Sequence, residues 1–298
     1  MGRIASLKRM AVHDGPGLRT TLFLKGCPLR CRWCHNPECI SPKPEVAYLP
    51  EKCLSCGACV ALCRANRITE KGHVFDRSLC SACGQCEETC LGRAFTYYGR
   101  ETTVQEAVEL LLEDRAFYES SGGGVTLSGG EPLMQASFSA AILQKIKREG
   151  IHTAVDTCGF AGREALDEVI PYTDLFLLDI KAASSQLHRA CTGQPNEPIL
   201  RNLEYLNRLG KPMEIRVPYI PGWNDREMPQ IAHLLKGLQS ITMVRLLPYH
   251  PYAASKYTSL GCRYEMPETV GPSRETMQRA VEVFLSQGLN AVDGGHLK

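Results

Sequence analysis

The sequence predicts an α/β protein: a partial, six-stranded (β/α)6 TIM-like barrel interrupted by a small cysteine-rich insert. Three observations carry this expectation. Apolar, strand-like runs alternate with helical patterns over residues 99–250, which implies parallel strands joined by right-handed crossovers. Each run ends on or just before a polar group, as the mouth of a barrel requires. Residues 51–98 hold a cysteine repeat with too few large apolar residues to bury a core, so that segment needs metal to fold.

Taken in order, the first strand is expected at 20–25, directly before Cys27. After the insert, Thr103-Val-Gln-Glu106 is a capping-box pattern. It leads a helix with Val104, Ala107, Val108, Leu111 and Leu112 on one face. Strands follow at 125–128, 152–157, 175–181, 213–218 and 241–247, with helices at 138–149, 197–209 and 228–238 between them. Residues 251–298 read as a loop-rich tail with one more helix. The barrel is therefore assigned to 1–50 and 99–298, and the insert to 51–98. A doubly wound open sheet fits the alternation equally well. The polar strand ends favour the barrel: Gly129-Gly130-Glu131, Asp156-Thr157, Asp179 with Lys181, Arg216 and His250. A barrel gathers such groups at one mouth, whereas an open sheet spreads them along a crevice.

The chain has 298 residues, 34 Lys+Arg and 32 Asp+Glu, for a net charge of +2. That balance gives no reason to expect a nucleic-acid or acidic-membrane partner. Apolar content of 44% supports a large core. No apolar run approaches the ~18 residues of a membrane span, and residues 1–10 are too polar for a secretory signal. A soluble, cytoplasmic protein is expected. Fifteen cysteines are then anomalous, and eleven of them fall into three tight groups between Cys27 and Cys90. Such spacing suits metal ligation better than disulfides.

The first group is Cys27-x3-Cys31-x2-Cys34. Thiolates suit iron–sulfur clusters or zinc. Three cysteines leave one iron of a four-iron cluster open to a ligand, as catalytic metal sites require. A structural zinc site completed by His35 or Cys39 is the alternative. The other two groups repeat C-x2-C-x2-C-x3-C: Cys53, Cys56, Cys59, Cys63 and then Cys80, Cys83, Cys86, Cys90. This is two-cluster ferredoxin spacing, in which the fourth cysteine serves the other cluster. One cluster takes Cys53, Cys56, Cys59 and Cys90; the other takes Cys80, Cys83, Cys86 and Cys63. Arg64 and Leu91 stand where proline usually follows. Two zinc knuckles are the rival. Cys39, Cys158, Cys191 and Cys262 read as free thiols.

The cysteine motif after the first strand and Ser128-Gly129-Gly130-Glu131-Pro132 after the second resemble the radical S-adenosylmethionine (SAM) superfamily. More narrowly, His13-Asp14-Gly15-Pro16-Gly17-Leu18-Arg19-Thr20 and Trp33-Cys34-His35-Asn36-Pro37 are similar to the glycyl-radical enzyme activating enzymes. So are Ser121-Gly122-Gly123-Gly124-Val125-Thr126, Asp179-Ile180-Lys181 and Leu246-Leu247-Pro248-Tyr249-His250. The resemblance covers nearly the whole chain.

It implies reductive cleavage of SAM at a [4Fe-4S] cluster on Cys27, Cys31 and Cys34. The 5′-deoxyadenosyl radical would take hydrogen from a glycine of a partner glycyl radical enzyme. Gly129, Gly130 and Glu131 would meet the methionyl end, glycine allowing close approach and the carboxylate suiting an ammonium. Trp33, Cys34 and His35 would contact the adenosyl part, and Asp179, Ile180, Lys181 and His250 match further SAM contacts. Asp156, Thr157 and Asp179 match positions that hold a monovalent cation in some members, with Leu177 standing where one member has Met. Asp14, Gly15 and Arg216 would meet the partner's glycine loop. Three [4Fe-4S] clusters and a flavodoxin or ferredoxin reductant are implied. Tyr249, Tyr252 and Tyr257 are expected to pack rather than react. A radical SAM enzyme acting on a small molecule, and a ferredoxin fusion without turnover, are the alternatives.

Overall fold

The computed structural model describes residues 1–266 and 268–295. The strands are β1 (Gly2–Ala11), β2 (Arg19–Leu24), β3 (Glu45–Tyr48), β4 (Asn66–Thr69), β5 (Gly72–Phe75), β6 (Phe95–Tyr98), β7 (Arg100–Thr102), β8 (Gly124–Gly129), β9 (His152–Thr157), β10 (Leu175–Asp179), β11 (Met213–Tyr219), β12 (Ile241–Pro248) and β13 (Ala291–Asp293). The helices are α1 (Gln85–Thr89), α2 (Val104–Leu112), α3 (Arg115–Ser121), α4 (Ala136–Arg148), α5 (Arg163–Val169), α6 (Ser185–Thr192), α7 (Glu197–Arg208), α8 (Met228–Leu235), α9 (Ala254–Ser259) and α10 (Arg274–Leu285).

One sheet organises the chain, in the order β13-β12-β11-β10-β9-β8-β2-β1-β7. From β2 through β8 to β13 the strands are parallel and lie in sequence order. A doubly wound sheet needs a point where that order reverses. Here it never reverses, so successive crossovers stay on one face, consistent with a partial barrel.

Period-two alternation sorts the side chains. On β9, β10 and β11 one set comprises Val155, Phe176, Leu178, Met213, Ile215 and Val217. It packs against helix residues such as Leu111, Ile142, Ile146, Leu203, Ile231 and Phe284. The other set is Ala154, Asp156, Leu177, Asp179, Glu214 and Arg216. Of its polar members, Asp156, Asp179 and Arg216 line the cavity on the concave side, while Glu214 lies near the start of β11.

The six expected strands are all present, but the sheet has nine. β1 and β7 add antiparallel strands beside β2, and β13 adds a parallel one beside β12. β1 escapes a search for alternation because it is interrupted twice by register shifts, between Ile4 and Ser6 and between Lys8 and Ala11. β13 has three residues, too few for a period to register. The ladder of the fourth expected strand stops at Asp179, so Ile180 and Lys181 lie beyond it. The capping box is present: Thr103 Oγ1 accepts from Glu106 N, and Glu106 accepts from Thr103 N. Residues 296–298, the end of the expected barrel segment, lie outside the described residues.

Between β2 and β7 the chain builds two small sheets: β4–β5 within the cysteine-rich segment, and β3–β6, in which Glu45–Tyr48 from before residue 51 pairs with the end of that segment. Val46, Tyr48, Ala94 and Phe95 pack there with Cys59 and Cys86. Among the described residues no helix is long and apolar enough to cross a membrane.

Candidate functional site

The carboxyl ends of the parallel strands surround a cavity of about 720 Å³. Cys27, Cys31 and Cys34 line one part of it, with Trp33 and His35 beside them. Two backbone bonds seat the cysteine loop: Gly26 N donates to Cys39 O and Cys27 N to Ile40 O, at 2.8 and 3.0 Å. Burial pushes the Cys31 thiol well up, and the Cys34 thiol to about 11. Thiols so placed become thiolates at neutral pH only beside a cation, which is what a metal centre supplies.

Cys158, read from the sequence as a free thiol, is buried against this group. Cys158 and Cys27 line the same cavity, and Cys158 is the main cause of a lowered Cys27 pKa. Its position one residue past Asp156-Thr157 was the available signal.

Gly129 and Gly130 line the cavity, but the Glu131 carboxylate does not. Glu131 is fully buried and points into the wall, where Oε1 accepts from Leu133 N and Thr157 Oγ1 and Oε2 accepts from Cys158 N. Burial raises its pKa, opposed by these donors. The carboxylate therefore ties the β8 turn to the end of β9, and the expected direct contact with a ligand ammonium is not what this geometry offers. Both glycines are required here. A Cβ on Gly129, at φ +117°, would stand 2.3 Å from Leu24 N, and one on Gly130 2.2 Å from Gly26 O. Ile180 likewise sits in the core, 1% exposed, and its side chain is not part of the cavity lining.

The expected cation group separates into three different partnerships. The Asp179 Oδ2 accepts from Lys181 Nζ at 2.6 Å. Asp156 Oδ2 accepts from Ser128 Oγ at 2.6 Å, while its Oδ1 is 3.3 Å from Arg216. Thr157 donates to Glu131. Lys181 and Arg216 thus provide the counter-charge for these carboxylates. Among the described residues no three His, Cys, Asp or Glu side chains gather closely enough to hold a single ion. Burial lowers the Lys181 pKa, but Asp179 and Cys31 outweigh it, and the net shift is upward. Burial pushes the Asp156 carboxyl up to about 6 despite Arg216.

Arg216 is the hub of an acidic cluster at the cavity. It lies 3.8 Å from Asp14, 3.3 Å from Asp156 and 3.7 Å from Glu214, and it donates to His13 O. Glu214 in turn takes both Arg245 Nε and Nη2, at 2.7 and 3.1 Å. Asp14 is held from behind, with Thr21 Oγ1 donating to its carboxylate and Thr126 Oγ1 to its carbonyl. Arg19, fully buried, clamps the same loop through Pro16 O, Val125 O and Thr126 Oγ1. Gly15 sits in this loop at φ +119°. The structure therefore joins Asp14 to Arg216 and to Asp156.

His250 stacks on His35, ring centroids 4.0 Å apart, and its carbonyl accepts from His35 Nε2 at 3.2 Å. Burial holds His35 down near 4 and lowers His250, so both rings are neutral. Nδ1 of His250 is buried without a partner among the described residues, in a residue that lines the cavity. Tyr249 and Tyr257 pack with Trp33 and Cys31 as expected. Tyr252 instead is 79% exposed and lies 4.5 Å from the His250 ring. Asn224, fully buried, went unnoticed in the sequence. It bridges Lys181 O, Pro218 O and Ile220 N, tying the ends of β10 and β11 together.

In the cysteine-rich segment, a small hollow is lined by Cys53, Cys56, Cys59 and Cys90, with His73 and Phe95. Cys90, from the second repeat, thus lies beside Cys53, Cys56 and Cys59. Cys80 and Cys83 neighbour Cys86. His73 Nε2 lies 3.3 Å from Cys59 Sγ, and its Nδ1 is 2.9 Å from the Tyr48 hydroxyl.

Residues 21–235 match the Radical SAM superfamily. The chain is 41% identical over 276 residues to the isethionate sulfite-lyase activating enzyme of Oleidesulfovibrio alaskensis, covering 89% of each. It is 39% identical over 300 residues to the trans-4-hydroxy-L-proline dehydratase activating enzyme of Clostridioides difficile, covering 98% of this chain and 99% of that one. Among solved structures, a domain of pyruvate-formate lyase-activating enzyme from Bacteroides vulgatus superposes with a TM-score of 0.50 at 34% identity. It covers 58% of this chain and all of that domain. The cysteine loop, the Gly-Gly turn and these relatives agree: the chain belongs to the Radical SAM superfamily and, within it, to the activating enzymes of glycyl radical enzymes.

Proposed function

We propose that the chain activates its partner by cleaving SAM reductively at a [4Fe-4S] cluster held by Cys27, Cys31 and Cys34. The observation that carries this reading is the convergence of three buried or half-buried thiols, Lys181 and the Gly129-Gly130 backbone on one cavity. Its ≈720 Å³ falls within the ~300–1,000 Å³ of small-molecule sites. The donor set fits: three soft ligands for iron, and carboxylate and ammonium partners for an amino acid end. The bound cluster and SAM supply the one-electron chemistry, whose product 5′-deoxyadenosyl radical takes hydrogen from a partner glycine.

The chain's own residues bind and orient. Gly129 and Gly130 admit close backbone approach, and the buried Glu131 keeps that turn against β9. Lys181 and Asp179 present a fixed ion pair to the zwitterionic end of the ligand. The neutral His35–His250 stack supplies a flat wall for the adenosyl end. Asp14, Gly15 and Arg216 form the approach for the partner's glycine loop. Lys181 and Arg216 supply positive charge beside Asp179 and Asp156.

The cysteine-rich segment, 51–98, is read as a two-cluster ferredoxin-like domain, which brings the total to three [4Fe-4S] clusters. The hollow shared by Cys53, Cys56, Cys59 and Cys90 supports it. Fully ligated clusters have no open corner, so they suit electron delivery from a flavodoxin or ferredoxin rather than SAM binding. Fifteen cysteines without a disulfide suit the reducing cytoplasm.

The test is anaerobic mixing of reconstituted, dithionite-reduced protein and SAM with glycyl radical enzymes of the kinds named for its relatives. Electron paramagnetic resonance should show a glycyl radical in at least one partner. SAM turnover that leaves every partner without a radical would instead favour a small-molecule substrate.

A further inference from the structure

The cysteine-rich segment does more than sit beside the barrel. Arg77, in the turn before Cys80, reaches out of it. Its Nη1 donates to Val46 O at 2.6 Å and its Nη2 to Ser259 O, the last residue of α9. The guanidinium lies over the Phe75 ring, 5.0 Å from the centroid. Gly261, at φ +70°, leaves room for it: a Cβ there would stand 2.4 Å from Arg77 Nε. Backbone linkage continues on the other side, where Cys80 N donates to Arg77 O at 3.2 Å.

Helix α9 is also tied to the cavity. It follows His250, which stacks on His35, and it packs against both β3 and the Pro37–Cys39 turn. Lys256 donates to Asn36 Oδ1 at 3.0 Å and to Glu38 Oε1 at 2.6 Å, directly after the Cys34 motif. Tyr257 packs in the cluster that contains Trp33 and Cys31. One short helix therefore bridges the cysteine-rich segment and the cysteine loop of the cavity, held on one side by Arg77 and on the other by Lys256.

We propose that Arg77 is a positioning residue for SAM binding: by anchoring α9 to the cysteine-rich segment, it braces the His35–His250 wall of the cavity. Six residues of α9 are too few to be a stable helix alone, so its place depends on such anchors. Loss of the guanidinium leaves two backbone carbonyls without that donor and frees the end of α9. The cavity wall would then sample positions that do not fit the ligand, and affinity would fall by the fraction of time spent there.

This inference rests on the proposed function, and the test keeps the two apart. Wild type, Arg77→Ala, Arg77→Lys and Gly261→Ala are reconstituted anaerobically, and their iron content is measured. Hydrogen exchange across 250–262 is followed without SAM, and SAM affinity is read from the change it makes in the spectrum of the reduced protein. Arg77→Ala should keep its iron, exchange faster across 254–262, and bind SAM at least fivefold more weakly. Arg77→Lys should recover part of the affinity. Gly261→Ala, which displaces the guanidinium from outside the cysteine-rich segment, should weaken SAM binding too, and it serves if Arg77→Ala loses iron. Exchange and affinity like wild type in Gly261→Ala and in an iron-replete Arg77→Ala would overturn the brace. A wild type that binds no SAM would overturn the proposed function instead, while the exchange of 254–262 would still report on the brace.

Discussion

At the scale of residues, the site works by opposing burial against specific partners. Asp156 is the clearest case. Burial raises it from 3.8 to about 6, with Arg216 pulling the other way. A carboxyl raised on folding favours the folded state below its unfolded pKa and loses that contribution as pH climbs through its folded one. Relative to Asp156→Asn, reconstituted wild type without SAM should lose roughly 2 kcal/mol of stability between pH 4 and 7. Denaturant midpoints at several pH values measure this, and a difference that stays constant would refute the burial argument. Glu131 gives a second prediction. Its two oxygens take three donors, so Glu131→Gln turns one donor against another and should cost ~1–3 kcal/mol. The same denaturation experiment checks it. These roles explain what was legible at this scale. Cysteines announce themselves by spacing. Whether a glutamate faces a cavity or a wall depends on the rotation of one turn, which the letters Gly-Gly-Glu do not encode. Asn224 was missed for a related reason: it acts on backbone groups, which leave no complementary residue in the sequence.

At the scale of elements, the β8 turn shows how tightly the loops interlock. Gly130 lies against Gly26 O and Cys39 O, which frame the cysteine loop. Gly130→Ala should push that loop away and empty its cluster site, lowering iron by about four per chain. Iron analysis beside the far-ultraviolet circular dichroism spectrum separates this from global unfolding. An unchanged iron content would show that the loop yields without cost. The interior parallel strands were readable because each is apolar, bounded and followed by a helix. β1 was not, because its two register shifts break the alternation that a period of two requires. β7 and β13 are three-residue strands whose pairing is decided by neighbours rather than by their own composition.

At the scale of the molecule, strand order settles what alternation alone left open. The uninterrupted sequence order from β2 to β13 gathers the strand ends on one concave side, and the cavity follows from that. The structure brings Cys90 beside Cys53, Cys56 and Cys59, and the repeat of eight cysteines was visible in the sequence. Its attachment to α9 was not, since Arg77 and Ser259 are 182 positions apart and neither belongs to a motif. The most direct measurement is product analysis of the dithionite-reduced, iron-replete chain with SAM. 5′-Deoxyadenosine and methionine should form with wild type, and Cys31→Ala should form neither while losing about four irons per chain. Intact SAM after incubation with the wild-type chain would contradict the assignment of Cys27, Cys31 and Cys34 to a cluster with an open iron.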